Sequence, residues 1–178
     1  MKKLLPFPRQ RQIFADDCGA DAAACVIAAC GQDVREDKVL ALGHTSADGT
    51  ETDGILRTFD YYGIKYHAGC GLQADELLAA IDCGHPVLIT LQAYRDSPET
   101  DYAGDLADGH YVVVKGYDTQ TRRFIIQDPS SWTDMYIGFD ELDGRWHDVE
   151  AEGNRIEHWG CVVLTPVVYD PAACEHLE

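Results

Sequence analysis

The sequence predicts an α+β fold, with a helical N-terminal half packed on a mostly antiparallel sheet drawn from the C-terminal half. Three observations predict it. Helical patterns fill the chain up to Gly84, and short β-branched and aromatic runs take over from Pro86. The first helix, finally, is so rich in small apolar residues that it must be wrapped by protein on most sides.

That helix runs over residues 18–30, after acidic Asp16 and Asp17 at its N-cap and before a glycine stop at Gly31. Further helices are expected over 35–42, over 53–62 between a Thr52 cap and Gly63, and over 74–82 before Gly84. Strands are expected over 87–91, 111–117, 123–127, 135–139 and 160–168. With no internal repeat and no linker, residues 1–178 read as one domain, in which 177–178 could be a cloning remnant.

A hydrophobic fraction of 46% and a charged fraction of 25% belong to a soluble globular protein rather than a disordered or fibrous one. No apolar run approaches the roughly 20 residues that a bilayer demands, so no membrane insertion is expected. The opening Met1-Lys2-Lys3-Leu4-Leu5 meets Pro6, Pro8 and Arg9 too soon to be a signal peptide. Fourteen basic against thirty-one acidic side chains leave a net charge of −17, which repels nucleic acid and favours a neutral or basic partner. The acids gather in 96–108 and 140–152, which read as solvated loops, the alternative being a lip that attracts basic peptides.

Seven scattered cysteines without a C-x-x-C pair argue against a disulfide framework and a structural zinc site, and suit a reducing cytoplasm. The acids of 44–54 miss the alternate spacing of a calcium loop, so that stretch reads as a capped turn. Gly69-Cys70-Gly71 is too isolated to cradle a phosphate, and no nucleotide, flavin or metal motif implies a cofactor.

One constellation carries chemistry. A thiol attacks as the thiolate, which a helix N-terminus and a nearby histidine favour, and Cys18 opens the buried helix. Asp16 and Asp17 would oppose this unless they turn away to cap the helix, whereas Cys25 and Cys30 lie deeper and read as core. The strands flanking the polar turn 118–122 form a hairpin centred on Thr119, which places His110 opposite Asp128. Such a carboxylate fixes the tautomer of the histidine and stabilises its protonated form. Pro129 ends the second strand just after the acid. His158, beside Trp159, is the substitute base. Acyl transfer also needs donors at the oxyanion, and Gln12, six residues before Cys18, can curl back over the helix mouth. Taken alone, His110 and Asp128 would read as an ordinary polar pair at a sheet edge, and Gln12 as a surface residue.

The blocks Gln12-x5-Cys18-Gly19-Ala20, Gly109-His110-Tyr111-Val112-Val113-Val114-x-Gly116-Tyr117 and Ile125-Ile126-x-Asp128-Pro129 resemble the bacteriocin-processing, double-glycine leader peptidases and their papain-like relatives. The resemblance implies a papain-like fold, a Cys18–His110–Asp128 triad with Gln12 at the oxyanion, no cofactor, and a peptide or protein substrate. Members that mature leaders are usually fused to a transporter and an ATP-hydrolysing domain, so a stand-alone form is expected here. Ala29-Cys30-Gly31 departs from the family in lacking an aromatic before the glycine, and residues 95–108 read as a loop bordering the substrate cleft. The expected activity is peptide-bond hydrolysis through a thioester. The alternatives are a papain-like acyltransferase or amidase with the same triad, and a non-enzymatic peptide-binding module on the same fold.

Overall fold

Nearly continuous apolar runs over 87–91 and 111–117 lie at the centre of an antiparallel sheet whose two faces are both covered, so its central strands are buried along their length. The computed structural model describes residues 1–95, 97, 101–150, 153–174 and 176. In chain order the elements are β1 (Lys2–Leu4), α1 (Cys18–Ala29), α2 (Glu36–Gly43), α3 (Thr52–Tyr61), β2 (Tyr66–Gly69), α4 (Ala74–Asp82), β3 (Val87–Gln92), β4 (Gly109–Asp118), β5 (Arg123–Gln127), β6 (Met135–Gly138), α5 (Phe139–Arg145), β7 (His147–Val149), β8 (Arg155–Glu157) and β9 (Gly160–Val163). The main sheet runs β2-β9-β3-β4-β5-β6, and β1 pairs with the far half of β4. A separate ribbon joins β7 to β8. The fold is the α+β arrangement expected from the sequence.

Odd and even positions of β3 and β4 serve different layers. Leu88, Tyr111 and Val113 pack with α1, Ile55 and Phe59, together with Cys161 and Val163 of β9. Val87, Ile89, Leu91, Val112 and Val114 pack with Leu77 and Ile81 of α4 and with Leu142 and Trp146. Residues 22–27 of α1 are almost wholly sealed from solvent, so truncating Ile27 to alanine would cost about 2–5 kcal/mol. Gly19 is what lets this helix approach so closely: a Cβ there would lie 3.0 Å from both the Tyr111 ring and Thr50.

Four sequence expectations need correction. Asp17 occupies the N-cap of α1 but makes no side-chain capping bond; it turns back to accept from the Ile13 and Phe14 N–H groups, at 3.1 and 2.9 Å. The second acidic run is not simply a solvated loop, because α5 and β7 form within it. The final strand stops at Val163, ahead of Pro166, whose missing N–H cannot serve a ladder. Short β1 and β2 carry too few residues to show a period and escaped the pattern reading. Residues 177–178 lie outside the described residues.

Candidate active site

Cys18 is the first residue of α1, so its backbone N–H has no partner within the helix and the positive end of the helix faces its side chain. It is 9% exposed, enough to be reached from a cavity and no more. His110, second in β4, and Asp128, just past the end of β5, are both buried. The His110 Nε2 lies 2.8 Å from Asp128 Oδ1, which leaves the other ring nitrogen outside that bond, and Cys18 is near enough to favour the charged form of the ring.

The pair forms by a different register from the one the hairpin suggests. Near the turn Tyr117 faces Phe124, and past a bulge at Lys115 the partners become Val114 with Ile126 and Val113 with Gln127. Continued by one residue, that ladder would set Asp128 opposite Val112. His110 is then its diagonal neighbour two residues along, on the same face, where side chains still meet.

Asp128 is fully partnered. Its Oδ1 also accepts from the Ser130 N–H at 2.8 Å, and its Oδ2 accepts from the Tyr94 hydroxyl. Burial alone would raise its pKa, but the hydrogen bond and charge of His110, with Tyr94 and Ser130, outweigh burial and hold it below the ordinary value. Burial likewise works against a charged His110, yet the Asp128 and Cys18 contacts carry its pKa up to about 9. The ring is therefore a proton donor at neutral pH.

Tyr94 is the member that sequence reasoning missed. It follows β3 with φ +60°, a left-handed conformation costly for a bulky residue. Its ring stands edge-on to His110, with centroids 5.3 Å apart at 84°. One aromatic residue after a strand carries no signal of such a role. Tyr94, His110 and Asp128 line a cavity of about 230 Å³ with Leu91, Val112, Ile126 and Arg145.

Gln12 reaches the neighbourhood with its amide already engaged. Its Nε2 donates to the Phe14 and Ala15 carbonyls at 2.9 and 3.2 Å, its Oε1 accepts from Ser130 Oγ at 2.8 Å, and its N–H donates to Pro129 O at 2.9 Å. His158 is occupied elsewhere: it stacks on Trp146 at 4.9 Å and bonds the Leu72 carbonyl at 3.0 Å. Cys25 and Cys30 sit in the core, as expected, and burial raises their pKa values to about 12 and about 11.

A second cavity, of about 180 Å³, opens directly on Cys18. Leu106 and Ala107 of the loop before β4 line it, as does the turn that carries Asp48 and Glu51. The acidic run after α5 contributes Asp148 and Glu150. Among the described residues, the one group of three side chains able to hold a metal is Asp17, Asp21 and Glu36, whose oxygens lie within 4.8 Å of one another. Such an all-carboxylate set suits a hard cation. No described helix is long and apolar enough to cross a membrane.

Comparison with known proteins agrees with this architecture. A candidate C39-like peptidase from Bacillus anthracis superposes with a TM-score of 0.69 at 15% identity, covering 94% of this chain and 99% of that one. The double-glycine motif protease of an AMS/PCAT transporter, solved with its leader peptide, gives 0.64 at 21%, covering 92% and 94%. The peptidase domain of Streptococcus ComA, a bifunctional ABC transporter, gives 0.63 at 21%, covering 92% and 98%. At these identities the likenesses show a shared fold. No curated protein matches the chain. The model of the Peptidase_C39 like family, however, matches residues 4–153, and on that match the chain belongs to the Peptidase_C39 like family.

Proposed function

We propose that this protein is a cysteine peptidase that cleaves a peptide bond through Cys18, His110 and Asp128, with the described elements acting as one catalytic unit. The observation that carries the reading is His110 paired with the Asp128 carboxylate at 2.8 Å, with Cys18, at the mouth of α1, among the groups that favour the charged ring. The Cys18 thiolate attacks the carbonyl carbon and the carbonyl π electrons move to oxygen. The Cys18 N–H, free of helix bonding, donates to that oxyanion, and Gln12 joins it by releasing one of its two backbone acceptors. The tetrahedral adduct collapses as His110 protonates the departing amine, the C–N bond breaks and a thioester remains. His110, now neutral, takes a proton from water, whose oxygen attacks the thioester; the C–S bond breaks, releasing the thiolate and a carboxylic acid that ionises to solvent. Asp128 keeps the imidazole oriented throughout and never needs to accept the proton.

A peptide or protein is the substrate in this reading, and the family of peptidases to which the chain belongs supports it. Seven unpaired cysteines suit a reducing compartment such as the cytoplasm.

Alkylation and mutation test the assignment together. Iodoacetamide near neutral pH should label Cys18 far faster than the other six cysteines, as mapped by mass spectrometry, and Cys18→Ala should lose all measurable peptide cleavage while keeping its melting temperature. Slow, uniform labelling, or undiminished cleavage by Cys18→Ala, would overturn it.

A further inference from the structure

We propose that the cavity opening on Cys18 is a subsite for a cationic group, so that the preferred peptide carries lysine or arginine beside the cleaved bond. The inference rests on the peptidase reading for its substrate, while the charge of the subsite can be measured without turnover. Its walls hold the nucleophile, Tyr111 and four carboxylates: Asp48, Glu51, Asp148 and Glu150. No lysine, arginine or histidine is among the described residues that line it.

Two of these acids are built into place rather than left on a loose surface. Asp148 accepts from Thr90 Oγ1 at 2.5 Å, from Gln92 Nε2 at 3.3 Å and from the Val149 N–H at 2.8 Å. Glu150 accepts from the Thr52 N–H and hydroxyl at 2.8 and 2.5 Å. All five donors are neutral, so they fix the carboxylates without cancelling their charge. The chain also leaves room for Asp148 at the start of β4, where a Cβ on Gly109 would fall 2.4 Å from its Oδ1.

An independent observation points to a ligand. Tyr111 is 6% exposed and lines this cavity, yet its hydroxyl hydrogen-bonds to no described residue. The hydroxyl of this otherwise buried ring is open to the cavity with Asp148 and Glu150 beside it, and among carboxylates its natural partner is a donor that also brings positive charge. An ammonium or guanidinium group meets both needs, supplying several N–H donors at once to the phenol oxygen and the acids. A side chain anchored there holds the neighbouring carbonyl against the Cys18 sulfur, and binding energy becomes orientation.

Charged thiol reagents read the subsite directly on the whole protein. Aminoethyl and sulfonatoethyl methanethiosulfonate react alike, each forming a mixed disulfide with release of methanesulfinate, but differ in sign, and peptide mapping reports each cysteine separately. At low salt the ratio of cationic to anionic rate at Cys18 should exceed that at exposed Cys70, Cys83 and Cys174 by about tenfold, the enhancement a cleft lined by the opposite charge gives. Using these as internal references removes the overall field of the −17 chain. Asp148→Asn and Glu150→Gln should each reduce the ratio at Cys18, and added salt should reduce it in the unaltered protein even if a variant folds poorly. Matched peptides with lysine, norleucine or glutamate beside the bond should then be cleaved in that order, lysine leading norleucine by about tenfold in kcat/KM. A Cys18 ratio no higher than at the exposed cysteines, or equal cleavage of the lysine and norleucine peptides, overturns the subsite. Such a result would leave the triad standing if iodoacetamide still singles out Cys18; a high ratio without any cleavage would instead retain the cationic site and defeat the peptidase reading.

Discussion

Asp128, just past β5, and Asp21, on α1, are both carboxylates sealed within the protein, and their pKa values are shifted in opposite directions. Asp128 has a partner for each oxygen and is held below its ordinary pKa. Asp21 receives a bond from Gln10 at 2.9 Å on one oxygen, while its other oxygen, like one each on Asp17 and Glu36, is buried with no partner. Burial first, then the charges of Asp17 and Glu36, push its pKa up to about 7, against the pull of Gln10. Burial acts in the same direction at both sites; what differs is the company, an imidazole in one case and two more carboxylates in the other. Depth alone therefore does not set the direction of the shift, and mutation should separate the two sites sharply.

The largest separation is expected in turnover. Asp128→Asn keeps the shape but loses the charge, and kcat should fall by about 10²- to 10⁴-fold, as when the acid of a comparable triad is neutralised. The pH dependence sharpens the point. With His110 protonated up to about 9, kcat/KM should decline as pH rises through that value, since a neutral ring cannot donate to the leaving amine. Asp128 contributes to raising His110, so in Asp128→Asn this alkaline limb should move to lower pH. Stability follows the same sign: a His110 raised from 6.5 to about 9 adds stability that is complete below 6.5 and fades as pH climbs toward 9. Asp128, being lowered, adds stability that is present above its ordinary 3.8 and fades in acid. A limb that stays fixed in Asp128→Asn would break the link between the two residues.

Gln12 spans the two regions, tied to Ser130 beside Asp128 and to the Phe14–Ala15 carbonyls that lead into Asp17. As an oxyanion donor it should cost about 10²- to 10³-fold in kcat when replaced by alanine. Alkylation of Cys18 passes through no oxyanion, so its rate should hold in Gln12→Ala. Equal losses in both assays would make Gln12 a strut for the helix mouth instead.

Much of the site was legible because its signals are local. A cysteine after acids and before a run of alanines marks a buried helix with a thiol at its mouth, and a polar turn between two β-branched runs brings His110 and Asp128 to one end. The register was misjudged because a bulge at Lys115 leaves no trace in the alternation, yet the contact survives as a diagonal pair. Tyr94, Asp148 and Glu150 could not be read, since each gains its role from elements far away in the chain. Thr90 and Gln92 orient Asp148 across more than fifty residues, and Thr52 orients Glu150 across ninety-eight. Charge runs in particular look alike whether they face water or a cavity.

Tyr94→Phe removes only the hydroxyl that Asp128 accepts, keeping the ring against His110. Tyr94 is 54% exposed, so water can reach the vacated oxygen, and kcat should fall by only about three- to tenfold with KM nearly unchanged. A positioning residue that acts through Asp128 should lose its effect in the Asp128→Asn background. If the two losses multiply instead, the hydroxyl works independently of the triad.

The smallest effect, and the one that tests the other half of the comparison, belongs to Asp21→Asn. A carboxyl whose folded pKa is raised holds its proton longer in the folded than in the unfolded chain, so stability falls as pH rises from 3.8 toward about 7. Asparagine removes that loss while its side-chain oxygen can still accept from Gln10. Thermal melts should therefore show Asp21→Asn several degrees more stable than the unaltered protein at pH above about 7, with the gap closing below about 4. Turnover should be little changed, because Asp21 touches neither the thiol nor the imidazole pair. A variant that melts lower at high pH would mean that the three carboxylates hold something together there, and that their crowding stabilises the helix mouth rather than straining it.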